Sequence, residues 1–307
     1  MSDNKLLTLC IPTYNRGVHL KEQLTRLSAM PAELWKDITV FVSDNCSTDN
    51  TKEIAQQYTS NPSVDIIYSR NDSNLGMDGN FVKCFTSAKS SYVWLLGDDD
   101  YILIDKLPLI IKLLKETNCG VCHLGIDRKD PNEFTLFKND TESFLKEIGI
   151  YISFISSNIV KTKYVPEIDF QKYYGSFFTL IPLYLNAMIK ESLNVMVNSQ
   201  IMESPKDAGR NGGYGICTVF IDNYLGIFRE YVDKGMLSEQ LYAFEKETVF
   251  NFVRSFVVKY YIFKEKSLFK PENTWEILYR HYGKTKVRYS MLKSIVGYCR
   301  DKILSIK

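Results

Sequence analysis

The sequence has few histidines and lacks glycine-rich nucleotide-binding motifs. Each of these features argues against a class of protein. There are three histidines in 307 residues, and no Cys/His spacing supports a zinc site. Neither a G-x-G-x-x-G fingerprint nor a Walker glycine loop follows the first strand-like segment, which argues against a dinucleotide-dependent dehydrogenase and a P-loop NTPase. The net charge is only +2, so overall charge indicates no nucleic-acid partner.

Long apolar runs are also absent. The longest uncharged run, residues 173–189, contains Pro182 and Asn186 and is shorter than the ~20 residues that a membrane-spanning helix needs. The N-terminal residues are polar and lead directly into a strand-like segment, so we expect no signal peptide. The seven cysteines are scattered, which favours free thiols in a cytoplasmic protein. Cys119 and Cys122 have redox-motif spacing, but their apolar surroundings predict a buried pair of thiols.

The N-terminal third alternates between two kinds of apolar pattern. Short continuous runs, typical of buried strands, cover residues 6–11, 38–42, 64–68 and 92–96. The stretches between them are helix-like, at residues 19–30, 50–58 and 81–88. Ser47 or Thr48 is expected to cap the second of these helices. The β-α-β-α-β-α-β order predicts an α/β fold with an open, mostly parallel sheet flanked by helices.

Each predicted strand ends in a polar cluster. These clusters are Thr13 with Tyr14, Asp44, Arg70 with Asn74, and the aspartates 98–100. In open α/β sheets, ligands bind outside the carboxyl ends of the strands. Four clusters at that edge therefore predict a single binding site.

The three consecutive aspartates, Asp98, Asp99 and Asp100, have two interpretations. Like charges packed this closely are tolerated only in water or beside a cation. One interpretation is a solvated acidic turn. The other is an oxygen-rich site for a hard cation such as Mg²⁺ or Mn²⁺, which also binds substrate phosphates. The polar clusters upstream favour the second interpretation.

Four short segments together resemble family 2 glycosyltransferases of GT-A fold. They are residues 12–16 (Pro-Thr-Tyr-Asn-Arg), 43–51 (Ser-Asp-Asn-Cys-Ser-Thr-Asp-Asn-Thr), 74–76 (Asn-Leu-Gly) and 96–100 (Leu-Gly-Asp-Asp-Asp). The resemblance implies an inverting, metal-dependent transfer of a sugar from a UDP- or dTDP-sugar to an acceptor hydroxyl, with Mn²⁺ or Mg²⁺ as cofactor. It also implies a role in bacterial surface polysaccharide or glycoprotein glycan assembly, with a glycan, glycolipid or glycoprotein as acceptor.

The resemblance assigns roles to individual residues. Thr13 and Tyr14 would line the nucleobase pocket, Asp44 would accept a hydrogen bond from a pyrimidine, and Arg70 would lie near the base or the phosphates. The pattern departs from the family at Gly97, which stands where the first aspartate of Asp-x-Asp-Asp is usual. The residues expected to bind the donor nucleotide are Pro12, Thr13, Tyr14, Arg16, Asp44, Arg70, Asn74, Gly76 and Asp98, and those expected to bind the metal are Asp99 and Asp100.

The acceptor hydroxyl must lose a proton, so a general base is also required. Family members usually carry it in an acidic pair beyond the aspartate strand, but residues 174–179 (Tyr-Gly-Ser-Phe-Phe-Thr) contain no carboxylate. A solvated surface charge explains each nearby carboxylate as well. Asp207 is the preferred catalytic base among them, because it precedes a glycine-flanked loop that can close over a site. Arg210 in that loop would pair with phosphate or face solvent. The other candidates are Asp169, Glu191 and Glu203.

Two of the three histidines lie in predicted elements and need no catalytic role. His123 lies in a strand-like run and could orient an acceptor, but a core histidine with a satisfied hydrogen bond explains it as well. His19 lies on the first predicted helix and is expected to face solvent.

We expect a transferase domain over residues 1–215, with a donor half (1–110) and an acceptor half (111–215), and a helical appendage over 216–307. From Asn251 onward, Lys and Arg outnumber Asp and Glu roughly three to one. This region is either a solvated basic surface, an oligomer interface, or a peripheral contact with the inner face of the cell membrane.

Two other functions remain open. One is a catalytically silent subunit that binds nucleotide-sugars or acts as a scaffold, because the acidic pair is missing. The other is a nucleotidyltransferase, although residues 12–16 lack the glycine- and Arg/Lys-rich composition usual after its first strand.

Overall fold

The computed structural model describes residues 5–124, 132–203 and 213–304. The chain divides into two compact units, Met1–Ala208 and Gly209–Lys307. The predicted boundary after residue 215 and the predicted donor and acceptor halves stay predictions.

The first unit is built on a large sheet. Its described strands are β1 (Leu7–Thr13), β2 (Ile38–Asp44), β3 (Ile66–Arg70), β4 (Tyr92–Leu95), β5 (Tyr101–Ile102), β6 (Val121–Leu124), β7 (Phe134–Lys138), β8 (Asn158–Lys161), β9 (Leu193–Val197) and β10 (Met202–Glu203). Eight of them form one sheet in the order β3-β2-β1-β4-β8-β6-β9-β7, and β5 pairs with β10. The first four strands of that order are parallel. β8 and β7 are antiparallel to their neighbours. The predicted open, mostly parallel sheet is confirmed.

Helices cover this sheet. The described helices of the first unit are α1 (Gly17–Ser28), α2 (Thr51–Thr59), α3 (Gly76–Ser87), α4 (Leu107–Thr117), α5 (Thr141–Ile148) and α6 (Ile181–Lys190). α1 buries Leu20, Leu24 and Leu27, and this spacing of three and four residues places them on one face. α4 is followed by Asn118, whose left-handed conformation (φ 48°) stops the helix.

The cap predicted for α2 is wrong. Neither Ser47 nor Thr48 caps it; Asp49 Oδ1 instead accepts hydrogen bonds from the Thr51 backbone nitrogen at 3.1 Å and from Thr51 Oγ1 at 2.5 Å. Ser47 and Thr48 are bonded to Asn15 in the loop after β1. They connect two loops of the site and are not available to the helix.

The core lies between the sheet and its helices. Every residue of β1 is buried, which explains why this strand has a continuous apolar run and not an alternating one. Trp94 in β4 is fully buried, and its indole nitrogen donates to the Ser156 carbonyl at 2.8 Å. Burial of each large apolar side chain contributes roughly 1.5–3 kcal/mol. Cys119 and Cys122 are buried as predicted, and burial raises the pKa of both thiols.

The second unit is helical over its described part, as predicted. Its helices are α7 (Leu225–Asp233), α8 (Glu239–Phe256), α9 (Thr274–Tyr282) and α10 (Lys284–Leu304), with π-helical turns at Thr218–Tyr224 and Val257–Ile262. Ser238 Oγ caps α8 by accepting from the Leu241 nitrogen at 3.1 Å. Across residues 5–124, 132–203 and 213–304, no helix combines the length and the apolar composition needed to cross a bilayer.

Candidate active site

A cavity of about 460 Å³ opens at the carboxyl ends of β1, β2 and β4. Its lining combines backbone of the loops after these strands, the start of α3, carboxylates and an arginine. The lining residues are Pro12, Thr13, Tyr14, Arg16, Asn45, Asn74, Gly76, Met77, Asn80, Phe81, Gly97, Asp98, Asp99 and Ile155. Eight of the predicted site residues are therefore brought together here. Asp44, Arg70 and Asp100 are not in the lining.

The loop after β1 is shaped by Asn15, which adopts a left-handed conformation (φ 53°). Its side-chain oxygen accepts from the Thr48 nitrogen at 2.7 Å, and its own backbone nitrogen donates to Ser47 Oγ at 2.9 Å. Gly17 follows at the start of α1, where a Cβ would come within 2.4 Å of Asn50 Oδ1. These contacts fix the backbone on both sides of Arg16.

Asp44 ends β2 and is fully buried. Its Oδ1 accepts from the Ser47 nitrogen at 2.9 Å, and its Oδ2 accepts from the Tyr68 hydroxyl at 2.5 Å. Arg70 Nε lies 3.6 Å from the same Oδ2. Burial, and then the bond to Asp44, raises the pKa of Tyr68. Asp44 therefore organises the loop behind the cavity, and its predicted contact with a pyrimidine stays a prediction.

A network of side-chain amides sets the start of α3. Asn45 Nδ2 donates to Asn74 Oδ1 at 2.9 Å and to the Gly76 carbonyl at 3.0 Å. Asn45 Oδ1 accepts from the Asn71 amide at 3.1 Å and the Leu75 nitrogen at 2.8 Å. Gly76 has a positive φ of 72°, which suits glycine. Asn45 was not predicted as a site residue, although an amide directly after Asp44 at a strand end was a usable signal.

Asp98 and Asp99 lie on the floor of the cavity and share one arginine. Asp98 Oδ2 accepts from Thr13 Oγ1 at 2.8 Å, and Asp98 Oδ1 accepts from Arg16 Nε at 2.7 Å. Asp99 Oδ2 accepts from Arg16 Nη2 at 2.5 Å. Burial raises the pKa of Asp98, and the charge of Arg16 opposes that rise. Burial acts to lower the pKa of Arg16, but the two carboxylates raise it above its ordinary value.

Asp100 is buried beside the cavity and takes part in packing. Its Oδ2 accepts from Ser156 Oγ at 2.6 Å, and the Gly97 nitrogen donates to the same Ser156 oxygen at 2.9 Å. Gln23 Nε2 donates to the Asp100 carbonyl at 2.8 Å. The predicted metal contact of Asp100 stays a prediction, and its carboxylate is engaged in the interior.

The carboxylates in the lining suit a divalent cation of the Mg²⁺ or Mn²⁺ type. Among the residues that the structure describes, no group of three or more His, Cys, Asp or Glu side chains has the geometry of a metal site. Asp98 and Asp99 provide two carboxylates in an open cavity. This donor set matches Mg²⁺ chemistry, in which one or two carboxylates bind the ion and substrate phosphates with water complete its shell.

The candidates for the general base differ in their surroundings. Asp207 and Arg210 lie outside the described residues. Glu191 accepts hydrogen bonds from Lys161 at 2.8 Å, Lys163 at 2.6 Å and the Tyr164 hydroxyl at 2.8 Å. Burial opposes its charge, but these bonds lower the pKa of Glu191 to about 2. Glu191 is therefore an ion-pair anchor and a poor base.

The remaining candidates lie away from the cavity lining. Glu203 pairs with Arg26 at 2.5 Å, and Asp169 is exposed. His123 is buried with its Nδ1 2.9 Å from Asn158 Oδ1, so the core interpretation fits its position. His19 is partly exposed.

The segment of residues 174–179 is fastened to the start of α3. Asp78 Oδ2 accepts from the Gly175 nitrogen at 2.7 Å, and Asp78 Oδ1 accepts from the Thr179 hydroxyl. Met77 and Asn80, on either side of Asp78, line the cavity. The segment expected on the acceptor side therefore lies next to the cavity wall.

A cavity at the carboxyl edge of a parallel sheet, lined by paired carboxylates and an arginine, lies where open α/β sheets bind their ligands. The family model described as Glycosyl transferase family 2 matches residues 8–175, which is more than half of the 307-residue chain. The chain belongs to glycosyltransferase family 2, and the predicted family membership is confirmed.

Curated relatives match parts of the chain. Abequosyltransferase RfbV of Salmonella typhimurium is 34% identical over 189 residues, which cover 55% of this chain and 56% of that protein. The GalNAc(5)-diNAcBac-PP-undecaprenol beta-1,3-glucosyltransferase of Campylobacter jejuni is 27% identical over 118 residues, covering 38% of this chain and 36% of that protein. The chain thus spans about half or less of the curated relatives that it matches.

Solved structures share the fold over most of the chain. TarS 1-349 of S. aureus in complex with UDP-GlcNAc has a TM-score of 0.62 at 16% identity, covering 96% of this chain and 92% of that one. The mannosyltransferase PcManGT of Pyrobaculum calidifontis, in complex with GDP-Man and Mn²⁺, has a TM-score of 0.51 at 11% identity, covering 100% of this chain and 89% of that one. The predicted GT-A fold is confirmed.

Proposed function

We propose that the protein is an inverting glycosyltransferase that moves a sugar from a UDP- or dTDP-sugar to an acceptor hydroxyl. The observation that carries this proposal is the pair Asp98 and Asp99, held by Arg16 on the floor of the cavity at 2.7 and 2.5 Å. Family membership and the nucleotide-sugars named for the solved neighbours support it.

In this proposal each part of the nucleotide-sugar has its own position in the cavity. Pro12, Thr13 and Tyr14 form a wall for the base, with Tyr14 44% exposed and available for stacking. Asp98 would accept a hydrogen bond from the ribose. The start of α3 lines the cavity at Gly76 and Met77, and the positive end of a helix favours a diphosphate.

Asp99 would hold a divalent cation, which when bound stabilises the negative charge of the leaving diphosphate. Asp99 would position the cation, and Arg16, which lines the same cavity, would pair with the diphosphate. We propose Asp207 as the base that takes the proton from the acceptor hydroxyl. Asp207→Asn is expected to abolish transfer and leave donor binding intact.

The acceptor is proposed to be a bacterial surface glycan, carried on lipid or on protein. The Campylobacter jejuni glucosyltransferase supports this class, because its name contains a glycan linked to undecaprenol. We further propose that α10 lies on an anionic membrane surface where a lipid-linked acceptor would be found.

α10 has two apolar faces. Val287 and Met291 are buried within its unit, whereas Tyr289, Leu292 and Val296 are 60%, 63% and 69% exposed. Helical spacing places Lys293 and Arg300 on the exposed face, and residues 284–300 contain no acidic residue. An apolar stripe with cations and no anions suits an anionic bilayer.

Vesicle sedimentation tests this surface. The protein should bind vesicles that contain phosphatidylglycerol and not pure phosphatidylcholine, and Leu292→Glu should abolish that binding. Leu268→Glu, at another exposed leucine (55%) of the same unit, is the matched control and should bind normally. Equal binding of Leu292→Glu would refute the membrane contact. Self-association that Leu292→Glu removes would assign the face to a second copy instead.

Product analysis separates the three functions. With a panel of nucleotide-sugars and Mn²⁺, a glycosyltransferase releases a nucleoside diphosphate, a nucleotidyltransferase forms or consumes pyrophosphate, and a silent subunit binds without either product. Asp99→Asn and EDTA should each stop the release of nucleoside diphosphate. Asp105→Asn, at a carboxylate that is 75% exposed, should leave it unchanged. Full activity in EDTA would remove the metal from the proposal.

A further inference from the structure

We propose that Arg16 is an internal counter-ion of the ligand-free protein, and that binding of metal and diphosphate moves its guanidinium from Asp98 and Asp99 to the diphosphate. This inference rests on the proposed donor site. It adds that the site is occupied by its own arginine before a ligand arrives.

The geometry places one guanidinium between two carboxylates from a different part of the chain. Nε bonds Asp98 Oδ1 at 2.7 Å, and Nη2 bonds Asp99 Oδ2 at 2.5 Å. Thr13 occupies the other oxygen of Asp98 at 2.8 Å. The rigid fork of arginine suits such a bridge, which lysine cannot reproduce.

The charges explain why a cation is needed here. The Asp98 and Asp99 side chains are only 8% and 21% exposed, so water solvates them poorly. Two neighbouring carboxylates with little exposure repel each other unless a positive charge compensates them. A divalent cation at Asp99 would compete with Arg16 for the same carboxylate. Arg16 and the metal are therefore alternative counter-ions.

The backbone of Arg16 is held by hydrogen bonds, whereas its side chain is partly exposed to the cavity. Its carbonyl accepts from the Leu20 nitrogen at 3.0 Å, and Asn15 before it is bonded to Thr48 and Ser47. The Arg16 side chain is 32% exposed and lines the cavity. Rotation about side-chain bonds alone can carry the guanidinium to a phosphate, with which it forms paired hydrogen bonds.

The exchange couples the two ligands. Without a diphosphate, the metal must displace the Arg16 guanidinium, which then has no new anionic partner. The metal therefore binds weakly. With a diphosphate, the released guanidinium gains a new anionic partner, so each ligand strengthens the binding of the other by the same factor. Replacing Arg16 should strengthen metal binding to the free protein and weaken this coupling.

Mn²⁺ binding, followed by the loss of the free-ion signal in electron paramagnetic resonance, tests the exchange without requiring turnover. Wild type, Arg16→Met and Arg16→Lys are titrated with and without UDP. We expect Arg16→Met to bind Mn²⁺ about tenfold more tightly without UDP, a difference of about 1.4 kcal/mol, and to lose most of the enhancement by UDP. Arg16→Lys should lie between the two, because it keeps the charge and loses the fork.

Lys21→Ala is the matched control, since it removes an exposed cation from the same helix and should behave as wild type. Thermal unfolding verifies that each variant is folded. Equal Mn²⁺ affinities of wild type and Arg16→Met without UDP would overturn the exchange while leaving the donor site intact. Absence of both Mn²⁺ and UDP binding in wild type would overturn the proposed function itself.

Discussion

The carboxylate of Asp100 occupies the space beside Gly97 that a side chain would need. A Cβ on Gly97 would come within 2.8 Å of Asp100 Oδ2, and Ser156 Oγ bonds both the Gly97 nitrogen and this carboxylate. This relationship explains the departure from the family pattern at Gly97. Here the third aspartate turns inward, and the missing side chain makes room for it.

Gly97→Ala should therefore destabilise the protein. The added methyl must push a buried, hydrogen-bonded carboxylate away, and such overpacking costs about 1–3 kcal/mol. Urea unfolding measures the change. Gly226→Ala is the control, because a Cβ there would have no atom within 4 Å beyond its chain neighbours and the nearby helix backbone. Gly226 lies inside α7, where alanine is preferred over glycine. A Gly97→Ala protein as stable as wild type would contradict the packing role.

Asp99 and Asp100 should respond differently to the same substitution. Asp99→Asn should remove Mn²⁺-dependent nucleotide binding with little loss of stability, because Asp99 lines the open cavity. Asp100→Asn should lower stability by about 1–3 kcal/mol, since it disturbs a buried hydrogen bond, and should retain nucleotide binding. Calorimetric titration and thermal unfolding of both variants make the comparison. The reverse pattern would place the metal at Asp100.

The fold was predictable from sequence where one local pattern dominated. The strands β1, β2 and β4 are buried on both faces and show continuous apolar runs. β3 lies at the sheet edge and is partly exposed, so its pattern was less clear. It was predicted at residues 64–68 and lies at Ile66–Arg70. α3 was predicted to begin at Phe81 because Gly76 and Gly79 weaken a helical pattern. It begins at Gly76, because the amides of Asn45 and Asn74 hold its first turn.

The site was predictable as a set of residues and not as a set of contacts. Arg16 and Asp98 were expected at the donor nucleotide and Asp99 at the metal, but a salt bridge between residues 82 positions apart leaves no local pattern. Ile155 and Ser156 reach the site from a turn far along the chain, and nothing in the sequence marks them. Asn45 and Asn80 both accept a hydrogen bond from the side-chain amide of Asn71, and these bonds form only in the folded chain.

Asp78 should control the use of the acceptor and not of the donor. Its two oxygens hold Gly175 and Thr179, so Asp78→Ala releases the segment of residues 174–179 from α3. We expect kcat/KM for the acceptor to fall about tenfold, an effect of about 1.4 kcal/mol, with UDP affinity unchanged. Thr179→Val removes one of the two bonds and should give a smaller loss. Equal kinetics for Asp78→Ala and wild type would separate this segment from the acceptor site.

Glu245 should make the second unit less stable as pH rises. Its carboxyl is buried and accepts from the Tyr224 hydroxyl at 2.9 Å, while its Oε1 has no hydrogen-bond partner among the described residues. Burial raises its pKa from 4.5 to about 7, and the Tyr224 bond opposes the rise. The stability is fully present below pH 4.5 and is lost as pH rises through 7, by about 3 kcal/mol.

Glu245→Gln should remove this loss, because an amide does not ionise. Thermal unfolding should show that the stability of the variant relative to wild type is higher at pH 8 than at pH 5. Glu247→Gln, at an exposed glutamate on the same helix that pairs with Lys286, should follow wild type at both values. A pH dependence that Glu245→Gln leaves unchanged would exclude Glu245 as its source.

The central claim is that the cavity around Asp98 and Asp99 binds the nucleotide of a sugar donor. Calorimetric titration of UDP and dTDP into wild type and Asp99→Asn, with saturating Mn²⁺, tests it most directly. The account predicts saturable binding to wild type at one site, and at least a tenfold loss in Asp99→Asn, which corresponds to about 1.4 kcal/mol. Equal affinities for the two proteins, or no binding of either nucleotide to folded wild type, would contradict it.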